Sequence, residues 1–214
     1  MKSIAVIPVR DFATTKLRLK SILDERQRAT LTATLLKNVL RAVEESDLDR
    51  VIVVAANREK AAKDLVGFSK LVVIQESTHN GGVNHAMQDG INSLGSSAES
   101  SSFLFIPSDL PLLNGGALNK ALELLSKHDL IIIGSDKKDG TNLLGMSRSG
   151  IIPMHYDDDS FTKHLVEAES RGVDYVAPVW QEFSFDVDDR EDLETLVRIM
   201  QVSSFDELIS KLRR

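Results

Sequence analysis

Apolar residues in this chain gather into short runs at Ser3 to Val9, Arg50 to Ala56, Lys70 to Gln75, Phe103 to Ile106 and Asp129 to Ile133. Such runs, rich in β-branched residues and with little alternation, predict strands buried on both faces. Between them, Leu31, Leu35, Leu36, Val39, Leu40 and Val43 share one helical stripe, and Leu118, Leu122 and Leu125 share another. The alternation predicts an α/β fold of three αβα layers, with a mostly parallel, open sheet of about seven strands and a mixed edge. Less regular candidates at Thr141 to Ser147, Val173 to Val179 and Phe183 to Asp186 supply that mixed or antiparallel edge. Helices are expected over Ser160 to Arg171, Arg190 to Met200 and Phe205 to Leu212. The serine-rich stretch Ser93 to Ser102 reads as a solvated connecting loop, so residues 1–214 are expected to form a single domain.

Composition narrows the chemistry. With 42% hydrophobic and 27% charged residues the chain falls in the ordinary globular range. It contains no cysteine, which excludes disulfides, thiolate nucleophiles and iron–sulfur clusters and leaves oxygen or histidine as metal ligands. The apolar run after Met1-Lys2-Ser3 is too short for a signal peptide or membrane span, so a cytoplasmic location without membrane attachment is expected. A formal charge of -6, with 26 dispersed Lys and Arg residues, argues against nucleic acid and for a small-molecule partner.

In open α/β sheets ligands bind outside the carboxyl ends of the strands, which makes the residues just after each strand the ones to inspect. After the first strand, Pro8-Val9-Arg10-Asp11-Phe12-Ala13-Thr14-Thr15-Lys16-Leu17-Arg18 carries cations suited to phosphate oxygens, although a solvated basic loop would look the same. Neither a P-loop nor a G-x-G-x-x-G fingerprint occurs. After the third strand, Asn80-Gly81-Gly82-Val83-Asn84-His85-Ala86 is a glycine turn opening a helix, which serves equally as a plain turn or as a close approach to a flat base.

After the fourth strand, Ile106-Pro107-Ser108-Asp109-Leu110-Pro111 holds a carboxylate between two prolines that restrict the backbone on either side. Further on, Phe185-Asp186-Val187-Asp188-Asp189 ends an expected strand in acids. Only one of Asp186 and Asp188 is expected to join Asp109 directly, and Asp188 or Asp189 could instead cap the following helix. Carboxylates from two strand ends, facing basic residues, suit Mg²⁺ and a nucleoside triphosphate.

At these residues the sequence resembles the 2-phospho-L-lactate guanylyltransferases of coenzyme F420 biosynthesis, nucleotidyltransferases with a glycosyltransferase-A-like, nucleotide-diphospho-sugar transferase-like fold. The resemblance spans nearly the whole chain. It rests on Ile7-Pro8-Val9-Arg10 with Lys16-Leu17-Arg18-Leu19, Gly82-Val83-Asn84-His85-Ala86, Pro107-Ser108-Asp109-Leu110-Pro111, Asp139-Gly140-Thr141-Asn142-Leu143-Leu144, Ser160-Phe161 with His164, and Asp186-Val187-Asp188 followed by Asp192-Leu193. It implies Asp109 and Asp188 as Mg²⁺ ligands and Arg10 and Lys16 as the catalytic cations on the triphosphate of GTP. Pro8, Val9, Gly82, Asn84 and Ser108 would complete the nucleotide site, with Gly82 and Asn84 near guanine or ribose. Thr141, Asn142, Ser160 and His164 would line the pocket for the phosphorylated acid.

Where relatives often carry a glycine-rich stretch before the Ser-Phe pair, this chain reads Met154-His155-Tyr156-Asp157-Asp158-Asp159. The implied partners are GTP and a small phosphorylated acid, with a homodimer as the candidate assembly. The implied reaction is attack of an acceptor phosphate oxygen on the α-phosphorus of GTP with release of pyrophosphate. Phosphoenolpyruvate or 3-phosphoglycerate as acceptor, and a non-catalytic nucleotide-binding regulator, are the alternatives.

Overall fold

The computed structural model describes residues 1–10, 15–78, 81–137 and 139–213. Seven strands, β1 (Lys2–Val9), β2 (Arg50–Ala55), β3 (Leu71–Gln75), β4 (Ser101–Phe105), β5 (Leu130–Gly134), β6 (Thr141–Met146) and β7 (Tyr175–Val176), form one sheet in the order β3-β2-β1-β4-β6-β5-β7. Strands β3, β2, β1 and β4 run parallel, as do β5 and β7, whereas β6 lies antiparallel to both of its neighbours. The reversal of β6 brings its first residues, Thr141 and Asn142, to the same sheet edge as the carboxyl ends of β1 and β4.

Alternate residues of each strand feed two cores. Ala5, Ile7, Val53, Leu104, Ile131 and Ile133 pack with α1 (Glu25–Glu44) and α4 (Gly115–Leu125) on one face. On the other face, Ile4, Val6, Ile52, Phe103, Phe105 and Leu144 pack with α3 (Gly82–Asn92) and α5 (Ser160–Ser170). Burial on both faces is why these strands read as continuous apolar runs. The short α2 (Arg58–Asp64) follows β2.

A third apolar cluster controls the site. Leu19, Leu23, Leu31 and Leu35 pack with Phe185, Val187, Leu193, Leu196, Leu208, Ile209 and Leu212. It joins the loop after β1, helix α1 and the terminal helices α7 (Arg190–Met200) and α8 (Phe205–Leu212). Among the described residues no helix is long and apolar enough to cross a membrane.

Three expectations are corrected. Phe183 to Asp186 is not a strand: Gln181–Ser184 forms the single turn α6, followed by extended chain. Asn142 Nδ2 donates to the Phe183 and Ser184 carbonyls at 2.9 and 3.3 Å, satisfying acceptors that a helix end leaves open. Ser93 to Ser102 is not a simple solvated loop either. Residues Gly95–Ser100 form 3-10 turns, and Ser101 and Ser102 are buried in β4. Their hydroxyls bond to the Ser97 carbonyl and to Ser3 Oγ at 2.8 and 3.1 Å, which makes small polar residues tolerable in a buried strand. The run Val173 to Val179 keeps only Tyr175–Val176 as strand.

Helix α3 lies so close to β1 that a Cβ on Gly90 would stand 2.4 Å from Val6 Cγ1. Gly90→Ala is expected to destabilise the protein by roughly 1–3 kcal/mol through overpacking, against the small helix-propensity gain of alanine. Urea denaturation of the variant checks this.

Candidate active site

The carboxyl ends of the parallel strands open into a cavity of about 1100 Å³, lined by Pro8, Val9, Arg10, Lys16 and Arg18 on one side and Ser108, Asp109 and Asp188 on another. Asp11 to Thr14 in the loop after β1, and Asn80 in the glycine turn, lie outside the described residues. Lys16 adopts the left-handed conformation at φ 53°, which is uncommon for a residue with a Cβ and occurs at functional sites where surrounding structure imposes it. Here the imposing element is Leu19, fully buried in the third apolar cluster three residues later.

The Lys16 ammonium is held between two carboxylates, donating to Asp109 Oδ2 and, at 2.9 Å, to Asp188 Oδ1. Its side chain is only 6% exposed. Burial alone would lower its pKa, but the charges of Asp109 and Asp188 and the hydrogen bonds to them outweigh that and raise it above the ordinary lysine value. Lys16 is therefore a fixed cation at any physiological pH.

Asp186 also enters this cluster. A carboxylate oxygen from each of Asp109, Asp186 and Asp188 lies within 4.8 Å of the others. The expectation that only one of Asp186 and Asp188 could join Asp109 is thus corrected. Residues two apart share a face of extended chain, and Phe185 and Val187 bury the opposite face in the third cluster. Asp186 is pushed up to about 7 by burial and then by the charges of Asp109 and Asp188, opposed by the hydrogen bond from Asn142 at 3.3 Å.

The helix-capping role falls to Asp189, whose side chain accepts from the backbone of Glu191 and Asp192 at 2.9 and 3.1 Å. Asp192 accepts in return from the Asp188 and Asp189 amides at 2.9 and 3.0 Å. This reciprocal cap fixes the backbone at Asp188 and leaves its carboxylate to the cluster.

The remaining sequence candidates divide into a wall and its support. Thr141, Gly82 and Ser108 line the cavity. Gly82 has φ +81°, where a side chain would be strained. Asn142, Ser160 and His164 sit behind Thr141 rather than in the cavity lining, and all three are buried. The His155 amide donates to His164 Nε2 at 2.9 Å, so the neutral ring carries its proton on Nδ1 and donates to Thr141 Oγ1 at 2.9 Å. Ser160 Oγ donates to the same oxygen at 3.0 Å. Burial, then the neighbouring His155, lowers the His164 pKa to about 4.

Asn84 also supports rather than lines the cavity, accepting from the Tyr156 amide at 2.7 Å. Tyr156 faces the cavity from the segment that departs from the glycine-rich pattern, with its ring edge-on to His164. Sequence reasoning did not single out Tyr156 or Glu76 as lining residues. Glu76 follows a strand directly and was open to the strand-end rule, whereas nothing local marks Tyr156.

Comparisons with known proteins bear on the family and the fold. The family described as "Guanylyl transferase CofC like" matches residues 3–212. A 2-phospho-L-lactate guanylyltransferase from Methanocaldococcus fervens is 30% identical over 190 residues, covering 88% of this chain and 81% of that protein. A phosphoenolpyruvate guanylyltransferase from Rubrobacter xylanophilus is 32% identical over 206 residues, covering 92% and 94%. Among solved structures, a protein from Desulfovibrio desulfuricans G20 described as a nucleotide-diphospho-sugar transferase superposes with a TM-score of 0.76 at 18% identity, covering 100% of this chain and 95% of that one. The chain therefore has the nucleotide-diphospho-sugar transferase fold.

The two shifted groups make opposite contributions to stability. For His164, with an ordinary value of 6.5 and a folded value of about 4, the stabilising contribution is whole above pH 6.5 and is lost as pH falls to about 4. That loss amounts to about 3 kcal/mol. For Asp186, ordinarily 3.8 and about 7 when folded, the folded protein holds the extra proton, so stability declines as pH rises through that window. In metal-free buffer above about pH 5, where the carboxylates with lowered pKa are already ionised in both states, His164→Gln is expected to leave a melting temperature that falls towards pH 7, and Asp186→Asn one that rises. Melting curves with the same slope in both variants would contradict the assignment.

Proposed function

This chain belongs to the guanylyl transferase CofC-like family, and from that premise we propose that it transfers GMP from GTP to 2-phospho-L-lactate, releasing pyrophosphate, in coenzyme F420 biosynthesis. The observation that carries the reading is the convergence of Asp109 and Asp188 on Lys16 in the wall of a nucleotide-sized cavity, with Asp186 close beside them. A non-catalytic regulator would have no use for three crowded carboxylates at a triphosphate site.

In the reaction, a phosphate oxygen of the acceptor attacks the α-phosphorus of GTP. The bond to the bridging oxygen breaks, and its electron pair leaves on pyrophosphate. The acceptor is already anionic, so no protein nucleophile or strong base is required, and catalysis consists of alignment and charge neutralisation. Arg10 and Lys16 would neutralise the triphosphate, with Pro8, Val9 and Ser108 shaping its bed. Thr141 would meet the acceptor: its oxygen already accepts from His164 and Ser160, so its own proton is left to donate. Asn142, Ser160 and His164 would act through that wall, and Gly82 and Asn84 would border the nucleoside.

The donor set fits a divalent cation. It is all oxygen, as Mg²⁺ prefers, and three carboxylates crowded within 4.8 Å face the single ammonium of Lys16. Asp109 and Asp188, joined by Asp186, would hold it. Bound there, Mg²⁺ would supply neutralisation of the phosphate charge that develops on transfer. With those carboxylates satisfied, the Lys16 ammonium would be free to serve the triphosphate.

Phosphoenolpyruvate is the second reading for the acceptor, favoured by the 32% identity to a phosphoenolpyruvate guanylyltransferase over nearly the whole of both chains. Pyrophosphate release from GTP with each acceptor, with Mg²⁺ or with chelator, tests the proposal. Metal-dependent release with one acceptor is expected, and release with neither would overturn the acceptor class. Asp109→Asn is expected to lower kcat by about 100-fold or more, the scale of losing one transition-state electrostatic contact, while the melting temperature stays high. Full turnover in this variant would remove the metal-ligand role.

A further inference from the structure

We propose that Glu76 selects guanine by accepting hydrogen bonds from its N1–H and N2–H₂ groups, an inference that rests on the guanylyltransferase reading above. Among the described residues, Glu76 is the only acidic one lining the cavity other than Asp109 and Asp188. A carboxylate in a site for a highly anionic triphosphate weakens binding unless it meets donors. Among the described residues Glu76 makes no side-chain hydrogen bond or ion pair.

Its position suits the far end of the nucleotide. The Glu76 amide donates to the Ala55 carbonyl at 3.0 Å, continuing the β2–β3 ladder one residue past Gln75 and fixing the backbone there. Asp109 follows β4, and β1 and β2 stand between β4 and β3. Three strand spacings separate the two ends, roughly 14 Å, a span that an extended nucleoside triphosphate can bridge. The same cavity is walled by Val54, Ala56, Val83, Ala86 and Met87, apolar surfaces suited to the faces of a base.

The chemistry then discriminates. Guanine alone among the common bases offers two adjacent donors on its pairing edge, matching the two acceptor oxygens of an ionised carboxylate. Adenine and cytosine each place a ring lone pair beside a single amino donor, and uracil flanks its one N–H with two carbonyls. Each of these would set a lone pair against a carboxylate oxygen and leave an acceptor unpaired. A site built to pair such groups rejects analogues that lack them more strongly than a merely apolar pocket does.

The test compares kcat/KM for GTP, inosine triphosphate and xanthosine triphosphate, at a fixed acceptor, in the wild type and in Glu76→Gln. Inosine lacks the N2 amino group, and xanthine replaces it with a carbonyl. The wild type is expected to prefer GTP over inosine triphosphate by about tenfold or more, the scale of one lost hydrogen bond to a charged group. In Glu76→Gln, whose amide presents one acceptor and one donor, that preference should collapse and use of xanthosine triphosphate relative to GTP should rise, with the acceptor KM unchanged. Undiminished guanine preference in a folded Glu76→Gln protein would overturn the inference and leave the guanylyltransferase reading intact. So would a wild type that uses inosine triphosphate as well as GTP, a result that needs no variant. A wild type active with no guanine nucleotide, under any acceptor, would instead overturn the function itself.

Discussion

Three carboxylates brought within 4.8 Å of one another cannot all remain charged without a cation among them, and the architecture around this site supplies one in Lys16. The ammonium needs a left-handed backbone and a nearly buried side chain to reach that place. Both are costs to the folded protein, the first about 1–3 kcal/mol for a residue of this kind. They persist because Leu19 anchors one end of the loop in apolar packing while Asp109 and Asp188 hold the lysine head. Even so, burial first, and then the charges of Asp109 and Asp188, raise the Asp186 pKa, so Lys16 does not cancel the repulsion from its neighbours. A divalent cation among the three carboxylates would offset that repulsion.

The sheet and the third apolar cluster divide the labour of building this site. The parallel strands β1 and β4 deliver Arg10 and Asp109 at adjacent carboxyl ends, a consequence of strand order alone. Asp186 and Asp188 come from a segment outside the sheet, oriented because Phe185 and Val187 are buried against α1, α7 and α8. The C-terminal helices, which contribute no described residue to the cavity lining, therefore support the acidic cluster through packing. The reciprocal cap between Asp189 and Asp192 adds a polar constraint at the same point.

The buried row behind Thr141 illustrates a different use of polar groups. A neutral His164 whose acceptor nitrogen is committed to a backbone amide must donate from its other nitrogen, and that direction of donation passes to the Thr141 hydroxyl. A fully paired polar network of this type can fix the orientation of a single hydroxyl at a cavity wall without exposing any member but the last.

Much of the fold was legible in the sequence because burial of a parallel sheet on both faces writes itself as apolar runs, and helices on its faces write themselves as stripes. The strand-end rule likewise singled out Arg10, Lys16, Asp109 and the Asp186 to Asp188 segment. What failed was local. The Phe183 to Asp186 alternation satisfied one helical turn as well as a strand, and the choice was made by Asn142, a residue 41 positions away that caps its carbonyls. The serines of β4 looked solvated because their hydrogen-bond partners are distant in sequence or set by a turn. The sequence by itself thus determined the α/β layering, the family and the ends of strands where chemistry would occur. Only the tertiary structure decided that all three aspartates meet, that His164 stands behind the wall, and that Glu76 faces the cavity alone. Those are relations between segments, set by how separate apolar surfaces pack together, and no local pattern of residues encodes them.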